Sequence, residues 1–362
     1  MAPVSSKLSL ALGSRAEQLK FVQSIWPKIK DGDFASADYK FLFEFVSRYL
    51  RKKSDDCGPA YFEGTRGQVD NYIQRLQEHL ILKKADLIAE STFTSHVPDD
   101  VVSQMFEIAA TLFLGTPVDT TDMFGRIKWD STVALGEAVQ TTLGSVSVSN
   151  SVDSTEGDNI PTHFTMHYLC SRYKYKVVWT DDLRQHLDIN TTYREIKVYE
   201  HLICLWNHSQ FSSPPLPKAI IDEVINTLVL LFPPNKKKTK KFLKDNGGRT
   251  FYKLGQVGHE RCLKLSKYHH WRDRVSELRI ILDDPPRGLY QLLLPHQNGQ
   301  NFLDWVTFLV VLFTNLVVLG FGVCEAVYAA RSYMVNNKQL GVAIGMACTD
   351  EKTANALAKY CP

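Results

Sequence analysis

Apolar residues recur at helical spacing along the first part of the chain. Leu, Phe, Val and Ile lie three or four residues apart, which is typical of helices that bury one face. The pattern is clear in ADYKFLFEFVSRYLRKK (37–53), VDNYIQRLQEHLILKKADLIAE (69–90), VPDDVVSQMFEIAATLFLG (97–115) and DSTVALGEAVQTTLG (130–144). The sequence therefore predicts a helical region over residues 37–143, preceded by an irregular N-terminus over residues 1–36.

The pattern changes after this region. The segment GSVSVSNSVDSTEGDN (144–159) is rich in Ser, Asp and Gly, and it predicts a linker over residues 144–161. In the segment beyond, YKVVW (175–179) predicts a short strand, while YREIKVYEHLICLW (193–206) is β-rich at first and then fits a helix. Residues 162–292 thus form a second, mostly helical region with short strands.

A run without charge follows, from Trp305 to Cys324. About 20 helical residues at 1.5 Å each cover the roughly 30 Å of a bilayer core. Apolar residues occupy every face of this run, whereas a helix of a soluble protein normally keeps a polar face. The run predicts a transmembrane helix over residues 303–330 and a short tail over residues 331–362. The alternative is a buried central helix of a large soluble domain.

The predicted fold is mainly α with a minor β element: a helical cytosolic body followed by one transmembrane helix. The rings of a Trp and a Tyr are expected at the two membrane interfaces. An Asn in mid-span could bond a partner helix and produce a homo-oligomer, together with the small residues Gly320 and Gly322. The predicted membrane-anchor residues are Trp305, Asn315, Cys324 and Tyr328.

Charge is nearly balanced, at 42 Lys and Arg against 39 Asp and Glu, so bulk electrostatics does not predict a nucleic-acid partner. The densest basic run is NKKKTKKFLK (235–244). It could contact anionic lipid headgroups or act as a nuclear signal. The favoured interpretation is a solvated loop that follows a helix.

Cysteine usage and the position of the span bear on orientation. The four body cysteines are far apart without a CxxC motif, which fits reduced cytosolic thiols. Cys348 and Cys361 lie in the tail and could pair if the tail is in the secretory lumen. The positive-inside rule does not decide the orientation clearly and slightly opposes a lumenal tail. The C-terminal span and the short apolar run near the start, too short for a signal peptide, predict an endoplasmic reticulum membrane protein with a cytosolic body.

Two triplets of His and Cys raise the possibility of a metal site. Neutral imidazole and thiolate are natural zinc ligands, but neither spacing is a standard zinc signature. Unrelated, half-buried side chains are the competing interpretation. Known catalytic or cofactor motifs are absent, and no cofactor is expected. The candidate metal ligands are His163, His167 and Cys170 in the first triplet and His201 and Cys204 in the second, which ends at His208.

Several segments occur in an order that resembles a known family. They are IKWDSTVALGEAV (127–139), VVWTDDLRQHLDI (177–189), VINTLVLLFPPNKKKTKKFL (224–243), WRDRVSELRIILDD (271–284), RGLYQLL (287–293) and the span. The chain resembles a broad family of uncharacterised membrane proteins from filamentous fungi. The resemblance implies a helical body, a WRDR-like helix, one membrane segment and a tail with two cysteines, here Cys348 and Cys361. One departure is LLPHQNGQNFLDW (293–305), which has fewer charges than the family's basic, Trp-rich stretch.

These features predict a single-pass membrane-anchored protein whose body binds other proteins, as an interaction or scaffolding protein. Its partners would be the lipid bilayer and proteins that the sequence does not identify. The alternative is a membrane-tethered enzyme of unknown reaction, dependent on metal through the His and Cys triplets. A channel or transporter subunit would need the homo-oligomer, because one span cannot form a conduit.

Overall fold

The computed structural model describes most of the chain and is mainly helical with two small sheets, as the sequence predicts. It divides into two compact units, Met1–Pro285, here called the body, and Pro286–Pro362. The residues described are 14–34, 36–57, 66–95, 98–120, 126–144, 158–211, 214–234, 236–249, 251, 260–283, 299–349 and 359–361.

The body's helices follow the predicted apolar segments, with three differences described below. Short 3₁₀ turns lie at Asp31–Asp33, Leu183–Gln185 and Leu265–Lys267. The helices run over Arg15–Ile25 (α1), Ser36–Cys57 (α2), Arg66–Glu78 (α3), Lys84–Ser95 (α4), Asp99–Leu114 (α5), Leu135–Gly144 (α6), Met166–Tyr173 (α7), Leu202–Ser209 (α8), Lys218–Leu231 (α9), Lys237–Asp245 (α10) and Arg272–Asp283 (α11).

The N-terminal segment contains a helix, although the sequence predicts irregular structure over residues 1–36. Ser14 begins α1 with a capping box, in which the Ser14 amide donates to the Glu17 carboxylate at 2.8 Å and the Ser14 hydroxyl accepts from the Glu17 amide. Phe21, Val22 and Ile25 are buried on its inner face. This apolar face is short, so its helical period is hard to recognise in the sequence.

The segment predicted as one helix over residues 69–90 is two helices, α3 and α4. Between them the chain pairs with the residues before α6: the Lys84 amide donates to the Val133 carbonyl at 3.2 Å and the Ala85 amide to the Ser131 carbonyl at 2.8 Å. These bonds satisfy free amides of the first turn of α4. A long-range partner therefore divides a segment whose local pattern is continuous.

Two sheets account for the β content. Val118–Asp119 (β1) pairs in parallel with Ile127–Lys128 (β2). The larger sheet has the order β3-β5-β4, built from Lys176–Thr180 (β3), Ile189–Asn190 (β4) and Glu195–Tyr199 (β5). Strands β3 and β5 are parallel, and Thr180 faces Tyr199 in the register. The carboxyl ends of these two strands therefore lie side by side.

A single hydrophobic core joins the two regions that the sequence separates at residues 144–161. Its buried residues run from Phe21 to Leu282, and the body is one compact unit. Helices α5 and α9 are apolar on most faces and largely buried, as expected of central helices. Most of the predicted linker, residues 145–157, lies outside the described residues.

The basic run 235–244, interpreted above as a solvated loop, is mostly helical. Helix α10 covers Lys237–Asp245, and Thr239, Phe242 and Leu243 are buried along one side. Three residues at positions i, i+3 and i+4 are enough to fix a short helix against the core. The high lysine content hides this stripe in the sequence.

The second unit consists mainly of one long helix, α12, over Gly299–Ala347. The sequence pattern predicts that the membrane helix ends at residue 330 and that a short tail covers residues 331–362. The helix instead continues through the charged and amide residues that follow the apolar run. Arg, Lys, Gln, Met and Ala all favour a helix, and the helix runs through Gly341 and Gly345 to Ala347.

Candidate functional site

The apolar helix α12 is the most distinctive surface of the described chain. The segment Trp305–Ala347 is long and apolar enough to cross a membrane, and none of its most apolar window is buried in the structure. Phe313 is 69% exposed and Phe321 is 68% exposed. Large apolar patches of this kind mark membrane or protein contacts. The alternative of a buried central helix is therefore not what the structure has.

Polar side chains in this helix bond to its own backbone. The Thr314 hydroxyl donates to the Val310 carbonyl at 2.8 Å, and the Asn315 amide donates to the Val311 carbonyl at 2.9 Å. Internal bonds lower the cost of placing such groups in hydrocarbon, where water is absent. The Asn315 amide therefore has an acceptor within its own helix. The predicted homo-oligomer stays a prediction.

The remaining predicted anchor residues lie at or beyond the ends of the charge-free run. Cys324 is exposed and unpaired, Tyr328 is 78% exposed, and Trp305 is partly buried. A Cβ at Gly320 or Gly322 would meet no other atom within 4 Å. This part of α12 therefore has a smooth, open surface suited to lipid chains.

Past the end of α12, Cys348 is joined to Cys361 by a disulfide, with the two Cα atoms 5.6 Å apart. The Cys348 amide donates to the Ile344 carbonyl at 2.9 Å, which continues the helical bonding to the bridge. The disulfide closes a short loop directly on the helix end. Cys170, Cys204 and Cys262 of the body are unpaired.

A polar cluster lies where the parallel strands β3 and β5 end. Asp181 follows β3, while Glu200 and His201 follow β5, and one ligand atom of each lies within 4.8 Å of the others. His201 Nε2 is 2.8 Å from Asp181 Oδ1. Carboxyl ends of parallel strands often form binding sites, so we treat this group, the carboxyl-edge cluster, as the candidate binding or catalytic site of the body.

Two arginines form ion pairs with the carboxylates of the carboxyl-edge cluster. Arg48 of α2 contacts Asp181 Oδ2 at 2.5 Å. Arg249 bonds Glu200 through both Nε and Nη2. Its guanidinium also lies between two aromatic rings, 4.4 Å from the centroid of Phe41 and 4.5 Å from that of Trp179. The cluster is therefore a charge-balanced ion-pair network that ties α2 and the segment after α10 to the sheet.

Protonation follows from these contacts. Burial raises the pKa of Asp181, but His201 and Arg48 outweigh it and leave that pKa below its usual range. Burial raises the pKa of the neighbouring Asp182 to about 6, although that side chain accepts from the Arg184 amide. Asp181 is therefore ionised at neutral pH, and the ring nitrogen of His201 that faces it holds a proton.

A metal ion at this cluster would compete with the guanidinium groups. The carboxylates of Asp181 and Glu200 are already neutralised, and a cation would have to displace Arg48 or Arg249 to reach them. His201 Nδ1 has no hydrogen-bond partner among the described residues, but the rings of Phe45 and Tyr199 pack on its imidazole. The donor set therefore fits ion pairing better than metal binding.

The five predicted metal ligands do not gather into one group in the described part of the chain. His201 alone belongs to the carboxyl-edge cluster. His163 packs on Tyr168, and His167 packs on Phe242. Burial raises the pKa of the Cys170 thiol to about 12 and raises that of Cys204 further. Thiols held neutral in this way are poor metal ligands, and the metal-dependent enzyme stays a prediction.

Asp181 belongs to one of four DD pairs in the sequence that could be metal or acid–base carboxylates, at 55–56, 99–100, 181–182 and 283–284, whereas Glu200 was not a sequence candidate. The sequence predicts strands near both residues, but its pattern does not show that β3 and β5 are parallel. With that pairing, the polar residues after each strand would have been grouped at one edge. The sequence therefore indicates where each strand ends, but it does not show the parallel pairing that brings the two ends together.

The chain matches no protein-family model, and the comparisons with curated proteins and with solved structures also find no match.

Proposed function

We propose that the chain is a single-pass membrane protein that holds a folded body on the cytosolic side of the endoplasmic reticulum membrane, where the body binds other proteins. The observation behind this proposal is the long helix α12, whose apolar side chains are exposed along its length. Exposing such an apolar surface to water costs free energy, whereas contact with lipid chains removes that cost. The body has its own core, so α12 is not needed to complete it.

The disulfide supports the orientation. Disulfides persist in the secretory lumen and are rare in the cytosol. Cys348 and Cys361 are paired, while Cys170, Cys204 and Cys262 of the body are not. A body in the cytosol and a helix end in the lumen explain this difference. The charges of Arg331 and Lys338 slightly oppose the orientation under the positive-inside rule.

Protease protection in microsomes tests the proposal. With tags at both ends, we expect added protease to remove the body and leave a protected C-terminal fragment, which detergent then exposes. The fragment should change its gel mobility on reduction, and a Cys348→Ser variant should lose this change.

Glycosylation gives an independent test of the same topology. Asn190 of the sequon NTT is exposed, whereas Asn207 of the sequon NHS is buried and donates to the Tyr39 hydroxyl. We expect no glycan at Asn190. A protected body, or a mobility change on glycosidase treatment that Asn190→Gln abolishes, would place the body in the lumen and overturn the orientation. Release of the whole chain by alkaline carbonate would overturn the anchor.

A further inference from the structure

Lysine side chains cover the outer side of α10, and we call them the lysine face. All are exposed, and at about 100° per residue those within the helix fall within roughly 160° of one another. Acidic charge on this helix comes only from its last residue, Asp245. The members of the lysine face are Lys236, Lys237, Lys238, Lys240, Lys241 and Lys244.

The opposite side of α10 is fixed to the core. Thr239, Phe242 and Leu243 are buried. The Phe242 ring lies 6.3 Å from that of Phe232 and 6.0 Å from that of His167. The helix cannot rotate without exposing these residues, so the lysine face is held outward as a fixed surface.

The positive charge of this face is uncompensated in the described part of the chain, where no ion pair involves these lysines. Like charges crowd it instead. Slight desolvation, and then Arg261 and Lys238, lower the pKa of Lys236. Burial and Lys238 lower the pKa of His167. The whole chain is nearly neutral, with 42 Lys and Arg against 39 Asp and Glu, so the lysine face is a local concentration of positive charge.

From the fixed outward orientation and the unpaired charge, we propose that the lysine face binds anionic lipid headgroups of the bilayer that holds α12. This inference rests on the proposed function. Residues 284–298 connect α11 to α12, and a chain of that length reaches at most about 50 Å. The body therefore stays at high effective concentration near one leaflet. A row of lysines is attracted to an anionic leaflet within a Debye length.

Lysine reactivity in nanodiscs tests the proposal with the full chain. Discs of phosphatidylcholine are compared with discs containing about 30% phosphatidylserine at about 0.1 M salt. Acetylation by an aqueous reagent is followed at each lysine by mass spectrometry. We expect the lysine face to react about threefold or more slowly in the anionic discs, and the difference to vanish at about 0.5 M salt. Exposed Lys20, Lys28 and Lys52 should react equally in both.

A charge-reversal pair provides the matched control. In Lys237→Glu/Lys241→Glu, the remaining lysines of α10 should lose their protection in anionic discs, whereas Lys20→Glu/Lys52→Glu should leave it unchanged. Circular dichroism checks that both variants fold. Equal reaction rates in the two kinds of disc, with the chain incorporated, would overturn this inference alone. The lysine face would then be a candidate binding surface for an acidic protein or a nucleic acid. A chain that does not incorporate would instead overturn the anchor.

Discussion

Lys84 and Glu107 form an ion pair inside the body. Their charged atoms lie 2.7 Å apart, and the side chains are 0% and 4% exposed. The Thr120 hydroxyl also donates to Glu107, and the ammonium group lies 5.2 Å from the Trp129 ring centroid. Burying two charges costs free energy that their attraction repays only when the remaining polar atoms are satisfied. Both members are therefore needed together.

We expect Lys84→Met to lower the free energy of unfolding by about 3–5 kcal/mol, because it leaves the Glu107 carboxylate buried without a cation. Removing both charges, in Lys84→Met/Glu107→Leu, should cost clearly less than the single change. Urea unfolding of the detergent-solubilised chain measures both. Lys40→Met disrupts an exposed pair with Glu44 and serves as the control, at about 0.5 kcal/mol or less. A double variant as unstable as the single one would contradict the argument.

Two buried histidines make the body sensitive to acid. Burial lowers the pKa of His208 to about 3, and burial, with Arg274 nearby, lowers that of His186 to about 3. The unfolded chain binds these protons near pH 6.5. The stability from neutral histidine is therefore complete above pH 6.5 and is lost as the pH falls toward 3. Asp182, with its pKa of about 6, acts in the opposite direction between pH 6 and 4.

His208→Phe should reduce this sensitivity. Phe fits among the rings of Trp26, Phe113 and Phe211, although Trp26 Nε1 loses its acceptor, at a cost of about 1 kcal/mol. We expect the stability lost between pH 7 and pH 5 to be smaller by about 2 kcal/mol. Urea unfolding at both pH values measures it, with exposed His269→Ala as the control. An unchanged loss in His208→Phe would show that this histidine does not bind the proton.

At the scale of elements, α12 makes the sharpest prediction. An Arg at the centre of a membrane helix costs about 2.5–3.5 kcal/mol on insertion scales. Leu316→Arg should therefore shift much of the chain from the membrane pellet to the alkaline carbonate extract. Tyr333→Arg changes a similarly exposed position outside the charge-free run and should not. Equal extraction of both variants would mean that the charge-free run is not the part within the bilayer.

Elements were predictable where their signal is local. The sequence predicts α2 and α5 because each has a long apolar stripe, and β3 because it is rich in Val. It missed α1, whose stripe is short, and α10, whose stripe lies among lysines. It merged α3 with α4 because their separation depends on hydrogen bonds to residues 131–133. Helix ends are set by such partners as much as by local preference.

At the scale of the whole molecule, the sequence predicts the long apolar helix but not the carboxyl-edge cluster. Hydrophobic length alone predicts a membrane helix. The cluster needs Arg48, Asp181 and Arg249 to meet, and these residues are far apart in the chain. Their meeting depends on the parallel pairing of β3 with β5 and on α2 packing beside that edge. Sequence spacing does not encode contacts of this range.

The unbroken length of α12 has a mechanical consequence. A helix rises about 1.5 Å per residue, so the part beyond Cys324 extends roughly 35 Å past the charge-free run. A continuous helix transmits rotation and tilt along its axis, whereas a hinged one would absorb them. With the charge-free run in a bilayer, as proposed, a turn or tilt of that run would be reproduced at the disulfide loop, and the displacement caused by the tilt would grow with the length of helix beyond the run. In the proposed function, α12 would thus act as a lever as well as an anchor.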